Sequence, residues 1–286
     1  MSSRDSEQYK EGQLQGWNSV ADGWQKWWKI TDTATEKVSR RLIELTEIKR
    51  GSTVLDIATG IGEPAITAAN QVGNSGHVLA TDISSQMLSI AKQRAISLDL
   101  EQVIEFKEGD AETMDLSAST FDAALCRLGL MFLPDLRTGL SNIHRSLVDG
   151  GRLAAAVWAS PDKVPFIAVA LNTVMKETKS PPPPAGTPGP FSLSDENMLK
   201  DSLIKSGFKD VTIERTDVSF NFDSAEVYTS YVYETAAPIQ AMLANQPQER
   251  REEILKAITE SARKYAENDT RSVRMINEAI CVVVTK

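Results

Sequence analysis

Apolar and polar residues alternate along this chain in blocks that match strands and helices in turn. Short apolar blocks predict seven strands, at 53–58, 77–82, 102–107, 121–126, 153–158, 211–220 and 278–285. Segments with apolar residues at helical spacing predict helices before and between these strands, at 35–46, 64–69, 84–98, 135–147 and 195–206. This alternation is typical of an α/β protein with a doubly wound, mostly parallel sheet.

The first strand runs into a glycine turn that is followed at once by a helix. The letters are T-V-L-D-I-A-T-G-I-G-E, with glycines at Gly60 and Gly62. Such a turn lets a ligand approach bare backbone at a helix N-terminus. Asp56, inside the strand, places a carboxylate at the edge of the turn, which favours a cationic or hydroxylated ligand and repels a pyrophosphate.

Two more acids follow the next two strands. Asp82 ends the second strand, at the distance from the turn where a carboxylate can accept both ribose hydroxyls. Asp110 follows the third strand and can accept from an exocyclic adenine amine. With no basic residue in the turn, these acids suit a nucleoside without phosphate. Gly60-x-Gly62-x-x-Ala65 also fits the dinucleotide fingerprint, so an NAD(P)-dependent oxidoreductase stays an alternative.

Four motifs in order, V-L-D-I-A-T-G-I-G, T-D-I-S, G-D-A-E and F-D-A-A-L-C-R-L-G-L-M-F-L-P-D, resemble those of class I S-adenosylmethionine-dependent methyltransferases. The nearest resemblance is to the small-molecule branch that includes ubiquinone and menaquinone biosynthesis methyltransferases. It covers about residues 50–160, with a weaker match at the C-terminus. It implies a Rossmann-like seven-stranded sheet whose last strand is antiparallel beside strand six, and S-adenosylmethionine as the cofactor.

The resemblance also implies roles for single residues. Gly60 and Gly62 would lie beside the methionine portion, with Asp56 near its amino group. Asp82 would hold the ribose, and Asp110 the adenine amine. The complete set expected at the cofactor is Asp56, Ala58, Gly60, Gly62, Asp82, Ile83, Met87, Asp110, Ala111 and Arg127, of which Met87 and Ala111 would flank the adenine and Arg127 would sit at the mouth of the site.

Tryptophans cluster near the N-terminus, and Trp17, Trp24 and Trp28 share one face of a helix because they are seven and four residues apart. They indicate either an amphipathic helix packed on the domain or an aromatic lid over the cofactor and a flat, apolar acceptor. The segment W-N-S-V-A-D-G-W also resembles the one before the first helix in quinone methyltransferases. We expect substrate contacts from Trp17, Trp24, Trp28, Phe132, Phe191 and Tyr231.

Two segments interrupt the alternation. Residues 179–190 are rich in proline and indicate a stiff surface linker or the rim of a lid. Residues 224–272 are rich in helix, with Ile254, Ile258 and Ala262 on one face. We therefore expect one methyltransferase domain over 1–286, with a helical lid at 1–34, a cofactor-binding core at 50–160 and substrate-side segments at 161–193 and 224–272.

Composition narrows the partners. The 286 residues carry a formal charge of −8, which argues against nucleic acid and anionic membranes as partners. No apolar run approaches the roughly 20 residues of a membrane span, and the N-terminus lacks the apolar core of a signal peptide. Cys126 and Cys281 fall in predicted buried strands and indicate core residues in a reducing compartment, so we expect a cytoplasmic protein. Oligomeric state stays open.

The catalytic chemistry is less defined. His77 opens a strand at the end away from the site, and His144 suits a surface or packing role. Glu63, Asp135 and Glu234 fit solvated or helix-dipole acids better than a catalytic base, so no base is assigned. No residues have zinc-ligand spacing, and no metal is expected.

The function that follows is methyl transfer from S-adenosylmethionine to oxygen, carbon or nitrogen of a small hydrophobic or aromatic metabolite, driven by proximity. The alternatives are the oxidoreductase and a non-catalytic cofactor-binding protein.

Overall fold

The computed structural model describes residues 3–184, 186–267 and 271–286. Positions 1–2, 185 and 268–270, which belong to the expected segments 1–34, 161–193 and 224–272, lie outside the described residues. The strands are β1 Thr53–Ile57, β2 His77–Asp82, β3 Ile104–Glu108, β4 Phe121–Arg127, β5 Leu147–Trp158, β6 Lys209–Phe222 and β7 Val273–Thr285. The helices are α1 Ser3–Thr46, α2 Ala65–Val72, α3 Ser85–Ser97, α4 Leu136–Ser146, α5 Pro165–Thr178, α6 Glu196–Lys205, α7 Ala225–Thr235, α8 Ala237–Ala244 and α9 Gln248–Ala262.

The strands form one seven-stranded sheet in the order β3-β2-β1-β4-β5-β7-β6. Every neighbouring pair from β3 to β5 is parallel, and β7 pairs antiparallel with both β5 and β6. The predicted fold, with its antiparallel last strand beside strand six, is confirmed. The order reverses between β1 and β4, and ligands of open α/β sheets bind at the carboxyl ends of strands beside such a reversal.

Helix α1 is much longer than the predicted helix at 35–46, because that segment and the tryptophan segment form one continuous helix of 44 residues. It contains no proline, and it ends where Glu47 adopts a left-handed conformation with φ of 55°. Its contact with α7 requires Gly23, since a Cβ there would lie 1.9 Å from the carbonyl oxygen of Glu234. The helix is therefore fixed against α7 near its middle.

Strand β5 begins earlier than predicted. We expected a helix closed by Asp149-Gly150-Gly151 and a strand from Leu153, but α4 ends at Ser146 and β5 starts at Leu147. Its pairing with β4 shifts between Phe121 and Ala123, so the strand accommodates the two glycines as an irregularity. The chain beyond it, from Leu153 to Trp158, is buried as a strand covered on both faces should be.

The core lies on both faces of the sheet. Small and branched side chains such as Leu55, Leu125 and Ala155 fill it. Ser84 caps α3 by accepting from the amide of Met87 at 3.1 Å, as its position before that helix predicts. Within the described ranges, no helix combines the length and the apolar character needed to cross a membrane.

Candidate functional site

The turn after β1 is built from residues in left-handed conformations. Ala58, Gly60 and Gly62 all have positive φ, at 56°, 56° and 108°. A Cβ at Gly60 would meet nothing within 4 Å, so the backbone is open on that side, whereas a Cβ at Gly62 would lie 3.1 Å from Ile66. The turn thus exposes peptide groups to the space above the sheet and packs its second glycine against α2.

Asp82 fixes this turn to the end of β2. Its Oδ2 accepts from the amide of Gly60 at 2.8 Å, and its Oδ1 accepts from the amide of Ser84 at 2.9 Å. Burial raises the pKa of Asp82, while these backbone donors act in the opposite direction. Each carboxylate oxygen can accept a second hydrogen bond, so the side chain keeps capacity for a pair of ligand hydroxyls.

Asp56 is a fully buried carboxyl under the turn. Its Oδ2 accepts from the amide of Ala65 at 3.0 Å, at the start of α2. Its Oδ1 and the neighbouring Oγ1 of Thr59 have no hydrogen-bond partner among the described residues. Burial raises the pKa of Asp56 to about 7, against the opposing effects of the Thr59 hydroxyl and then of the Arg127 guanidinium. The unpartnered Oδ1 of Asp56 is an acceptor that a cationic donor would complete.

Glu63 does not have the solvated position that we expected of it. It borders the cleft above the sheet, it is largely removed from solvent, and its Oε2 accepts from the hydroxyl of Thr67 at 2.7 Å. Burial raises its pKa, and Arg127 is the largest influence that lowers it. The covering helix α1, which contributes Asp32 to the same surroundings, accounts for this burial.

Arg127 leaves the end of β4 and faces Glu63 across the cleft. Its Nη1 donates to Oγ1 of Thr35 at 2.7 Å and to Oγ of Ser39 at 2.9 Å, both on α1. No ion pair within 4 Å joins it to Glu63, and no described residue accepts from its Nη2 or Nε. Opposite charges therefore face each other in the cleft without direct contact.

Asp110 and Glu112 follow β3, and both form ion pairs with a lysine of α1 that we did not expect there. Nζ of Lys10, from α1, lies 2.7 Å from Oδ2 of Asp110 and 2.5 Å from Oε2 of Glu112. Oδ1 of Asp110 accepts from the amide of Glu112 at 2.9 Å. The predicted acceptor of an adenine amine is thus already paired in this structure.

These groups border one cleft, which is also lined by residues of α1. Of the residues predicted at the site, the cleft is lined by Ala58, Gly60, Asp82, Ile83, Met87, Asp110, Ala111, Arg127, Trp17, Trp24 and Phe132.

Five predicted residues lie outside this lining. Asp56 lies under the turn, and Gly62, within the turn, packs against α2. Tyr231 is buried and shares a 2.7 Å hydrogen bond with Thr31, and Phe191 packs against the core. Trp28 is 37% exposed.

Trp28 lies outside the cleft although helix geometry places it on the same face. At 3.6 residues per turn, the 18 residues from Lys10 to Trp28 make about five full turns, so both side chains leave α1 in the same direction. The cleft extends along this face from Lys10 to Thr35. Trp28 instead lies under the guanidinium of Arg94, whose Cζ is 4.7 Å from the ring centroid.

The sequence did not indicate the other α1 residues at the cleft, which are Lys10, Gln13, Thr31 and Thr35. Their position on the same helix face as Trp17 and Trp24 was the signal that could have indicated them.

The other candidate acids and bases are away from the cleft. His77 opens β2 with Glu105 3.4 Å away, and the ring of His144 packs edge-on against a phenylalanine. Asp135 caps α4, and Glu234 pairs with Lys26. Within the described ranges, no group of three His, Cys, Asp or Glu side chains is arranged to hold a metal ion.

The sheet order, the glycine turn and the acids at successive strand ends define a class I S-adenosylmethionine-dependent methyltransferase scaffold. The family model described as the ubiE/COQ5 methyltransferase family matches residues 10–178, and the chain belongs to this family. Among curated relatives, it is 30% identical over 122 residues to the ubiquinone/menaquinone biosynthesis C-methyltransferase UbiE of Klebsiella pneumoniae. That match covers 43% of this chain and 49% of the relative, so the chain spans about half the length of the curated relatives it matches first.

Solved structures resemble the whole fold. Phosphoethanolamine N-methyltransferase 2 of Haemonchus contortus, solved with S-adenosylhomocysteine, is 17% identical with a TM-score of 0.55, covering 94% of this chain and 60% of that one. The [4+2]-cyclase SpnF is 18% identical with a TM-score of 0.54, covering 93% and 94%. At these identities the likeness establishes the fold, and the cyclase shows that the fold alone does not specify the reaction.

Proposed function

We propose that this protein transfers a methyl group from S-adenosylmethionine to a small, largely hydrophobic or aromatic acceptor. The observation that carries the proposal is the buried Oδ1 of Asp56, which has no hydrogen-bond partner among the described residues and lies beside an open glycine turn. The cofactor has an ammonium group and no phosphate, so it supplies a donor for this oxygen, whereas a pyrophosphate would face a carboxyl.

The residues present fit the rest of the cofactor. Asp82 would hold the ribose hydroxyls while it keeps the turn in place, and Asp110 would accept from the adenine amine. Met87 and Ala111 would flank the base. These roles agree with the ones implied by the sequence motifs, and each is open to test by substitution.

The far part of the cleft would receive the acceptor. Trp17, Trp24 and Phe132 give it aromatic walls, and the ring of Trp17 meets that of Phe132 edge-on at 5.4 Å. Glu63 and Arg127 add one carboxyl and one guanidinium. These two are the groups placed to take a proton from the acceptor and to stabilise a developing negative charge.

The cofactor, when bound, supplies a methyl group already activated by the sulfonium. The protein then has to align the acceptor with the carbon–sulfur bond and keep water out. Alignment of this kind is worth about 7–11 kcal/mol in well-oriented systems. An oxygen, carbon or nitrogen acceptor fits this scheme, with Glu63 needed only where a proton must leave.

We further propose that residues 1–286 act as one domain in the cytoplasm. The expected substrate-side segments 161–193 and 224–272 contribute no residue to the lining of the cleft in their described parts. They hold α1 instead: Trp24 Nε1 donates to the carbonyl of Thr235 at 3.0 Å, and the hydroxyl of Tyr9 donates to that of Pro188 at 3.1 Å. Their effect on the acceptor would act through α1.

Ligand binding tests the proposal and its two alternatives. S-adenosylhomocysteine (SAH) should stabilise the protein in a saturable manner in thermal unfolding and calorimetry, and NAD and NADP should not. Stabilisation by the nicotinamides alone would establish the oxidoreductase. Binding of SAH without turnover of labelled S-adenosylmethionine, across a panel of phenols, enols and amines, would favour the non-catalytic protein.

A further inference from the structure

The N-terminal part of α1 is attached to the rest of the protein differently from its middle. From Trp17 onward, apolar side chains pack on Ile61, Met87 and Ile90 beside the glycine turn. Gly23 then approaches the backbone of α7 too closely for any other residue. This part of the helix is held by burial and by close backbone contact.

The preceding turns are held mainly by polar contacts at a few points. Among the described residues, Tyr9 donates one hydrogen bond to Pro188 and Lys10 makes its two ion pairs. Gly12 follows them, with nothing within 4 Å of the position a Cβ would take. No packing reason therefore requires a glycine there, and glycine lowers helix stability by about 1 kcal/mol relative to alanine.

The two ion pairs of Lys10 are the strongest of these contacts. Its side chain is 20% exposed, and that of Glu112 only 4%. Glu112 cannot turn away, because its Oε1 accepts from the amide of Asp135 at 2.7 Å. Asp110 is likewise fixed through its Oδ1. Two immobile carboxylates a few ångströms apart repel each other unless a cation lies between them, and α1 supplies that cation.

We propose that Lys10 is a positioning residue that latches residues 3–16 of α1 over the nucleoside end of the cleft. Entry and exit of the nucleoside then require the two ion pairs to open, and Gly12 supplies the local flexibility. Lys10 sets the rate of exchange more than the affinity, because it engages Asp110 and Glu112 in the empty cleft as well. The proposal rests on the proposed function for the identity of the ligand.

Stopped-flow fluorescence with SAH tests this, since Trp17 lies in the cleft. Lys10→Met should raise the association and dissociation rate constants of SAH together, by about tenfold, as loss of a partly buried charge pair allows. The dissociation constant should change by less than about threefold, because both states lose the same contact. Lys10→Arg should restore slow exchange, and Gly12→Ala, which stiffens the helix, should slow both rates.

The matched control is Lys26→Met, which removes a lysine of the same helix whose ion pair with Glu234 lies outside the cleft. It should leave both rates unchanged. Raising the salt concentration should speed SAH release from the unsubstituted protein and have little effect on Lys10→Met.

Three results would overturn the latch. Rates within about twofold of the original in Lys10→Met would show that the ion pairs do not limit exchange. Faster release with unchanged association would make Lys10 a direct ligand contact. If SAH fails to bind, the proposed function fails, and hydrogen exchange still decides on the latch: amides of residues 3–16 must exchange faster in ligand-free Lys10→Met, and equal exchange rejects it.

Discussion

Binding of SAH should depend on pH through Asp56. This carboxyl is fully buried, and its pKa is raised from 3.8 to about 7. Below about pH 7 the ligand-free protein therefore holds a proton there, and a ligand ammonium beside Oδ1 favours the ionised form. Binding in acid must then expel the proton, so affinity rises with pH up to about 7 and becomes constant above it.

The expected size follows from the raised pKa. Each pH unit below the pKa costs about 1.4 kcal/mol, or tenfold in affinity, when the ligand requires the ionised carboxyl. Between about pH 5 and pH 7 the affinity for SAH should thus rise by roughly 50-fold, because about half of the carboxyl is still protonated at pH 7. Calorimetry in two buffers with different ionisation enthalpies should count close to one proton released at the acid end and none at about pH 8.

Glu63 and Asp82 are the other acids near the turn with raised pKa values, and the Arg127 guanidinium acts in the opposite direction on Asp56 and Glu63. Asp56→Asn keeps the oxygen that accepts from the amide of Ala65 and removes the titration, so it should flatten the profile. Glu63→Gln should leave most of the slope. A flat profile in the original protein, or a slope that survives Asp56→Asn, would refute the assignment of the ammonium to Asp56.

Three further predictions test the site by substitution, the first of them with a matched control variant. Asp82→Asn should weaken SAH binding by about 2–4 kcal/mol in calorimetry, because an amide replaces a carboxylate that also accepts from two backbone amides. Asp122→Asn removes a carboxylate that accepts from a backbone amide at the opposite end of the sheet and should leave affinity intact; equal affinity in both variants contradicts the ribose role. Trp24→Ala should impair capture of SAH or the acceptor more than thermal stability, and simple unfolding would favour a packing role. The Glu63→Gln variant should become more stable than the original protein as pH rises above about 4.5. A carboxyl whose pKa is raised in the folded state makes the original protein less stable as pH rises over that range, and glutamine does not titrate. The gain should vanish in acid, and urea unfolding that shows no such trend would place Glu63 in a more polar setting.

The strand ends could be predicted from the sequence because their signals are local. The glycine turn follows β1 directly, and Asp82 and Asp110 each close a short apolar block. Parallel strands bring their carboxyl ends to one edge, so the fold itself assembles these acids. Once the alternation of blocks was recognised, the sheet and the nucleoside end of the cleft followed.

The contacts of α1, the helix that lies over the cleft, could not be predicted in the same way. The partner of Lys10 is 100 residues away in the chain, and nothing near Lys10 indicates it. The burial of Glu63 depends on α1 lying over it, which no local pattern states. Trp28 satisfied the spacing rule for one helix face, yet its ring packs under the guanidinium of Arg94 on α3, a contact that no local pattern indicates.

Because one continuous helix covers both ends of the cleft, those ends should behave differently. From Lys10 to Thr35 the helix spans about 38 Å at 1.5 Å per residue. Its later part is fixed by Gly23 against α7 and by Arg127, which donates to Thr35 and Ser39. Its first turns are held by a few polar contacts. The acceptor chamber is therefore the rigid end and the nucleoside end the one that opens, so a spent cofactor could be replaced while the walls that select the acceptor keep their shape.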